Sequence, residues 1–139
     1  MEITANALQT VSAGSNVVFT NTAVNGTQCM LHREGSGLVT LRGITNQSRA
    51  RFRVTFGGNV ALPAEATVVP ISLAIALNGE PVAETTMIST PTAAGAYNSV
   101  SRVLFLDIPS GCCSQVSVEN ISAAAIEIQN ASLIVERVA

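Results

Sequence analysis

Three kinds of residue in this chain could do chemistry: one histidine, three cysteines and a serine held between two glycines. A serine or cysteine nucleophile needs a histidine and an acid placed beside it by the fold. Ser36 lies between Gly35 and Gly37, whereas the nucleophile elbow has its glycines two residues to either side of the serine. No spacing indicates a triad. We expect no catalytic residue, and we expect His32 to be a strand-end histidine bonded to a backbone or interface group.

The same residue types are those that bind zinc. Cys29 precedes His32 by three positions, and Cys112 and Cys113 are adjacent. Structural zinc sites commonly take pairs two to four residues apart, and adjacent residues of a strand point to opposite faces. We therefore expect no metal and no cofactor. An odd number of cysteines argues against a disulfide framework, so buried thiols are the expectation for all three.

The strongest charged feature is a row of three arginines at alternate positions, Arg49, Arg51 and Arg53. In a strand they share one face. Three interpretations remain open from the sequence. The row is a solvated sheet face, or it forms ion pairs between subunits with Glu34 or Glu136, because arginine favours fixed bidentate contacts. In the third, it binds an anionic ligand such as phosphate, sialic acid or an acidic capsid patch.

The elements that must position these residues are strands, because alternation with a period of two runs along the whole chain. No window has helical periodicity, so helix is expected to amount to a turn or two. About ten short strands with frequent turn signals predict a single-domain, all-β antiparallel sandwich or barrel covering residues 1–139. The predicted strands are residues 15–20, 28–33, 37–41, 49–56, 71–77, 81–88, 101–108, 115–120, 125–129 and 132–138.

Turn signals and apolar faces complete this prediction. Asn78 and Gly79 favour a tight hairpin turn, with residues 81–88 as the return strand. The Gly57-Gly58-Asn59 segment is expected to end the strand before it, so that residues 57–66, like residues 88–98, form an outward loop. Residues 1–10 are an N-terminal extension or the first strand. The residues expected in the core or in subunit contacts are Phe52, Val54, Phe56, Ile71, Leu73, Ile75, Leu77, Leu104 and Leu133.

The composition excludes several classes of protein. Of 139 residues, 47% are apolar and 12% charged, which does not fit a disordered chain. Seven arginines, no lysine and a net charge of −2 give no basic surface for nucleic acid. No apolar run approaches the roughly 20 residues of a membrane span, and the first residues do not look like a secretion signal. Because surface lysine commonly keeps sheet edges apart, its absence predicts burial against other subunits.

Several segments together resemble the compact jelly-roll heads of the tumour-necrosis-factor and complement type. In bacteria, the nearest version is the C-terminal head of collagen-like spore-surface glycoproteins. The resemblance covers most of the chain and implies a jelly-roll topology with three protomers around an apolar threefold axis. The segments that carry it are residues 11–19, 37–43, 51–56, the 73–82 hairpin and 133–137.

The layout also resembles small structural proteins of phages. The function we expect is therefore that of a non-enzymatic virion protein, a homotrimeric capsid decoration or fibre head assembled in the host cytoplasm. Its partners would be its own copies, capsid or other virion proteins, and a host-surface glycan. The alternatives are a carbohydrate- or receptor-binding module and a bacterial surface or spore-coat protein.

Overall fold

A computed structural model describes all 139 residues, which form two antiparallel sheets packed face to face. There is no α-helix, only a three-residue 3-10 turn at Ala83–Thr85, and no helix is long and apolar enough to cross a membrane. The twelve strands are β1 (Glu2–Ala5), β2 (Gln9–Val11), β3 (Asn21–Val24), β4 (Met30–His32), β5 (Val39–Gly43), β6 (Arg49–Ala61), β7 (Ile71–Leu77), β8 (Glu80–Pro81), β9 (Met87–Ser89), β10 (Asn98–Pro109), β11 (Gly111–Asn120) and β12 (Ile126–Arg137).

The first sheet has the strand order β10-β6-β12-β1-β3, and β2 pairs with the far end of β12. The second has the order β4-β5-β11-β7-β8, and β9 also pairs with β7. The edge strands are therefore β10 and β3 in the first sheet. Residues 1–10, left open by the sequence, supply β1 and β2 and belong to the first sheet.

The inward faces of the two sheets form one core, as the alternation predicts. Of the nine residues expected in the core or in subunit contacts, seven are at most 1% exposed within the single chain, so they are core residues and are not available to another subunit. Leu77 and Leu104 are half-buried at the margin of this core. The seven are Phe52, Val54, Phe56, Ile71, Leu73, Ile75 and Leu133.

A buried asparagine ties the core layers together. The side chain of Asn120 is fully buried, and its Nδ2 donates to the carbonyls of Val11 and Ala124, both at 3.0 Å. Its Oδ1 accepts from the amide of Ser122 at 2.9 Å. One side chain thus satisfies three backbone groups at the end of β2 and in the β11–β12 turn.

The expected break at Gly57 is wrong, because β6 continues to Ala61 between β10 and β12. Opposite Gly57 and Gly58, β12 carries a register shift, and Asn130 there has a φ of 54°. A Cβ on Gly58 would lie 3.5 Å from the Cα of Ala131. That distance is an ordinary van der Waals contact, so the two glycines lie in a regular strand opposite a bulged neighbour and do not end β6. The bulge bends β12 without interrupting its pairing with β6, so residues 126–137 form one strand instead of the two predicted.

Two other predictions need correction. The Asn78-Gly79 turn is present, with φ values of 53° and 85°, but the return strand is only Glu80–Pro81. The 3-10 turn then interrupts it, and β9 resumes the pairing with β7. Residues 15–20 form no strand: their backbone bonds pass from β11 of the second sheet to β1 of the first, leaving isolated bridges only.

Candidate functional site

The arginine row lies on the outer face of the first sheet, where its three arginines share two carboxylates of the same chain. Arg51 donates to both oxygens of Asp107, at 2.8 and 3.1 Å, and Arg49 approaches the same carboxylate at 3.5 Å. These hydrogen bonds from Arg51, together with the positive charges of both arginines, lower the pKa of Asp107. Because Asp107 lies directly opposite Arg51 in the β10–β6 register, the pair is fixed by the sheet.

The third arginine is paired in the other direction across the sheet. Arg53 Nη2 donates to both oxygens of Glu136 at 2.9 Å, and Glu136 lies opposite it on β12 of the same chain. Glu136 thus already has a partner without a second subunit. Glu34 accepts a hydrogen bond from the amide of Thr22 on β3, the other edge of this sheet. An intersubunit or ligand role for the arginine row stays a prediction.

Beside the ion pairs lies a mainly apolar surface that we call the outer patch, formed by the exposed Val103 and Phe105 and the half-buried Thr55 and Ile134. Val103 lies opposite Thr55, which lies opposite Ile134, so the row crosses three strands. Val103 is 52% exposed and Phe105 is 60% exposed. Both belong to β10, a twelve-residue edge strand with one hydrogen-bonded neighbour. A long edge with exposed apolar side chains is a surface on which another polypeptide can pack.

His32 has both ring nitrogens committed to the protein. Nε2 lies 3.0 Å from the carbonyl of Ser36, which can only accept, so Nε2 carries the proton. Nδ1 then accepts from the hydroxyl of Thr22 at 3.1 Å. Since Thr22 belongs to the first sheet and His32 to the second, this bond closes the edge of the sandwich between β3 and β4. The expected role of His32 as a strand-end histidine bonded to a backbone group is confirmed.

On either side of β4 the surface is concave. A cavity of about 580 Å³ lies toward β3, and a second of about 310 Å³ lies toward β5; Leu31 and His32 border both. We call the two together the β4 groove. Its walls are mostly polar and uncharged. The side chains that line it include Asn25, Thr27, Gln28, Leu31, Thr40 and Gln115.

The cysteines depart from expectation in part. Cys29 is a buried free thiol, as expected, and its sulfur accepts from Arg137 Nη1 at 3.0 Å. Cys112 and Cys113, by contrast, are exposed and joined to each other. They follow the Ser110-Gly111 turn where the register between β11 and β5 shifts, so they face solvent and are outside the core. No three cysteine, histidine or acidic side chains lie close enough to hold a metal ion.

Sequence reasoning identified His32 and the arginines but missed the outer patch and the β4 groove. For the patch a signal existed: Val103 and Phe105 alternate with the inward Leu104 and Leu106. A strand that is apolar on both faces indicates a second contact surface. For the groove no local signal was available, because its residues come from separate segments that only the fold brings together.

No family model matches the chain, and no curated protein matches it. Among solved structures, the globular domain of a zebrafish complement 1qA protein superposes with a TM-score of 0.64, covering 96% of this chain and 93% of that one at 10% identity. The fold is therefore an all-β sandwich of the complement-head, tumour-necrosis-factor-like jelly-roll type, as the resemblance implied. Family 35 carbohydrate-binding modules from Clostridium thermocellum and Cellvibrio japonicus align over 92% and 99% of this chain at 12% and 14% identity, with TM-scores of 0.37.

Proposed function

We propose that this protein is a non-enzymatic structural subunit that works as a homotrimer, and that its setting is a phage particle, as a capsid decoration or fibre head. The observation that carries the proposal is the outer patch, where Phe105 and Val103 expose more than half of their surface on an open edge strand. Covering the exposed half of each side chain is worth about 1 kcal/mol. The resemblance implies three copies, and a closed ring leaves no patch uncovered.

The surroundings of the patch suit a second copy of the same chain. The ion pairs beside it, Arg51 with Asp107 and Arg53 with Glu136, are balanced within one chain. Arg49 shares Asp107 with Arg51, so the rim also keeps one positive charge without a carboxylate of its own. A second copy that covers the patch and leaves this rim in solvent avoids the cost of desolvating these ions.

The chemistry of the polar residues supports a non-enzymatic role. Both nitrogens of His32 are already bonded, and the carboxylates of Asp107 and Glu136 are each held by an arginine. A general base has to be within hydrogen-bond reach of the proton that it removes and free to accept it. In their present bonds none of these three groups meets that condition.

Light scattering coupled to size exclusion tests the assembly. The expected mass is about 43 kDa, three times the 14.3 kDa of one chain. Phe105→Asp should give a folded monomer, with its β-sheet circular dichroism retained. Leu8→Asp is the matched control, since Leu8 is 52% exposed in the β1–β2 turn, outside the patch, and it should leave the trimer intact. A monomeric native protein at micromolar concentration, or an F105D trimer, contradicts the proposal.

The virion role has its own test. Reading frames for capsid or tail proteins beside this one, and the protein itself in purified particles by mass spectrometry, would support it. Neighbouring genes for spore-coat or cell-surface proteins would favour that alternative instead. A carbohydrate-binding module is the second candidate function, and the observation that favours it is the β4 groove.

A further inference from the structure

We propose that the β4 groove binds a neutral oligosaccharide. The inference rests on the second candidate function and gives it a location, a ligand class and a set of contact residues. It does not depend on the assembly through the outer patch, so the two can fail separately.

The groove offers side-chain hydrogen-bonding groups that a ligand could use. The amides of Asn25, Gln28 and Gln115 and the hydroxyls of Thr27 and Thr40 have no partner within the chain, although all five line the groove. Each side-chain amide offers two donors and one acceptor. Neighbouring hydroxyls of a sugar ring need this mixture of donors and acceptors. A ligand that is purely an acceptor or purely a donor would leave half of these groups unused.

The charges that border the groove do not suit an anionic ligand. Glu34 and Met1, whose charged amino group donates to the carbonyl of Val135, border the larger cavity, and Arg33 borders the smaller one. The groove therefore has no group of cationic side chains to hold a phosphate, a sialic acid or a uronic acid, which bind best to paired arginines. A carboxylate beside the ligand repels anions. The ligand class that fits is uncharged.

One wall of the groove is held in place by hydrogen bonds before any ligand arrives. Thr22, His32 and Ser36 are joined by hydrogen bonds of 3.1 and 3.0 Å, and Glu34 holds the amide of Thr22 at 3.1 Å. Leu31, 44% exposed, adds an aliphatic surface for the C–H face of a sugar. A pre-ordered wall reduces the entropy lost on binding.

The groove has no aromatic side chain on which a sugar ring could stack. Single-site affinity should accordingly be weak, on the order of 1 mM. In a trimer, binding through several grooves at once would compensate for this weak single-site affinity. In the first sheet β3 lies four strands from β10, about 19 Å away at the usual strand spacing. The larger cavity, which lies beside β3, therefore stays open when β10 is covered, and three such cavities on one particle raise avidity by about 100-fold or more.

The test is a titration of isotopically labelled protein, followed by amide chemical shifts in NMR. The probes are cellohexaose, chitohexaose and mannohexaose as neutral chains, with hexagalacturonate, sialyllactose and inorganic phosphate as acidic ones. We expect at least one neutral chain to shift the amides of residues 25–34, 40 and 115. Gln28→Ala and Asn25→Ala should each weaken binding about 5- to 10-fold. Asn98→Ala, an exposed and unbonded amide on the opposite edge strand, should change nothing.

Three results overturn the inference: no shift with any neutral chain at 20 mM, shifts confined to residues outside the groove, or equal binding of the acidic probes. Light scattering on the same samples reports the assembly independently. If F105D is monomeric and still binds the same chain with single-site affinity, the groove stands whatever the particle context. If the trimer persists while no glycan binds, the groove alone is refuted.

Discussion

Replacing Asn120 with aspartate would keep the shape of a fully buried side chain while removing its two donors. In the native protein Nδ2 donates to two backbone carbonyls, those of Val11 and Ala124. A carboxylate in its place would face both carbonyl oxygens with no proton to share. The folded state should therefore favour the protonated acid, which can donate one bond, and should raise the pKa of the new aspartate above its ordinary value of about 3.9.

The magnitude follows from the lost bonds. Two hydrogen bonds are worth about 1 kcal/mol each, and a buried carbonyl left without a partner costs about 1–3 kcal/mol. We expect Asn120→Asp to lose about 3–4 kcal/mol of stability at pH 7. For a chain of this length that lowers Tm by about 10–14 °C. Because the folded pKa is raised, the loss is smallest near pH 4 and grows as the pH rises above the unfolded pKa, until the folded pKa is passed.

Urea unfolding monitored by circular dichroism at pH 4, 5, 6 and 7, at one protein concentration, measures this difference. Asn120→Ala, which also removes the acceptor for Ser122, should be destabilised by a similar amount at every pH. Asn46→Asp, at an exposed loop position, is the control and should stay within about 0.5 kcal/mol of the native protein. The reasoning fails if N120D is as stable as the native chain at pH 7, or if its deficit does not shrink toward pH 4.

Three further changes test the fold in the same assay. Gly43→Ala should cost about 1–3 kcal/mol, since its Cβ would meet the backbone carbonyl of Pro109. Gly57→Ala is the control and should cost under about 1 kcal/mol, because its Cβ would make only an ordinary 3.9 Å contact with the Ser132 hydroxyl. Equal effects would refute the packing. Thr85→Val should cost about 2 kcal/mol, because the buried hydroxyl bonds two backbone groups; a neutral effect would contradict this. The lowered pKa of Asp107 means that its pair with Arg51 stabilises the fold above the unfolded pKa and is lost as pH falls through the folded one. With the same assay extended down to about pH 2, the Asp107→Asn variant should lack this acid-dependent loss. Identical pH profiles for the variant and the native protein over that acidic range would refute the link.

The alternating segments were predictable because one rule governs them. Between Arg49 and Phe56 each apolar residue is buried and each arginine faces outward, since the strand has a core on one side and solvent on the other. The rule failed at Gly57 and Gly58. Glycine indicates a turn when only local conformation is considered, but here β10 and β12, about fifty and seventy residues away along the chain, pair with these positions and keep them in the strand. A contact with such a distant part of the chain cannot be recognised from a short stretch of sequence.

The candidate sites were less accessible to sequence reasoning than the core. His32 was correctly expected to bond a backbone group, but its partner Thr22 comes from the other sheet. Cys112 and Cys113 were expected to be buried because thiols usually are, yet the turn at Gly111 places them in solvent. Whether a residue is buried, and which residue it bonds to, depends on how the two sheets pack. Residue type predicts these properties only where a regular pattern extends over several positions.

The position of β12 has a consequence for synthesis on the ribosome. This strand lies between β6 and β1 and also pairs with β2, so the first sheet has no continuous hydrogen bonding until residues 126–137 have emerged. Translation supplies about 5–20 residues per second. For several seconds, therefore, the nascent polypeptide carries β6 and β10 without β12, the strand that pairs with β6 in the centre of the sheet. Chaperones that shield extended segments would act in this interval, and slower elongation near the last strand would lengthen the exposure.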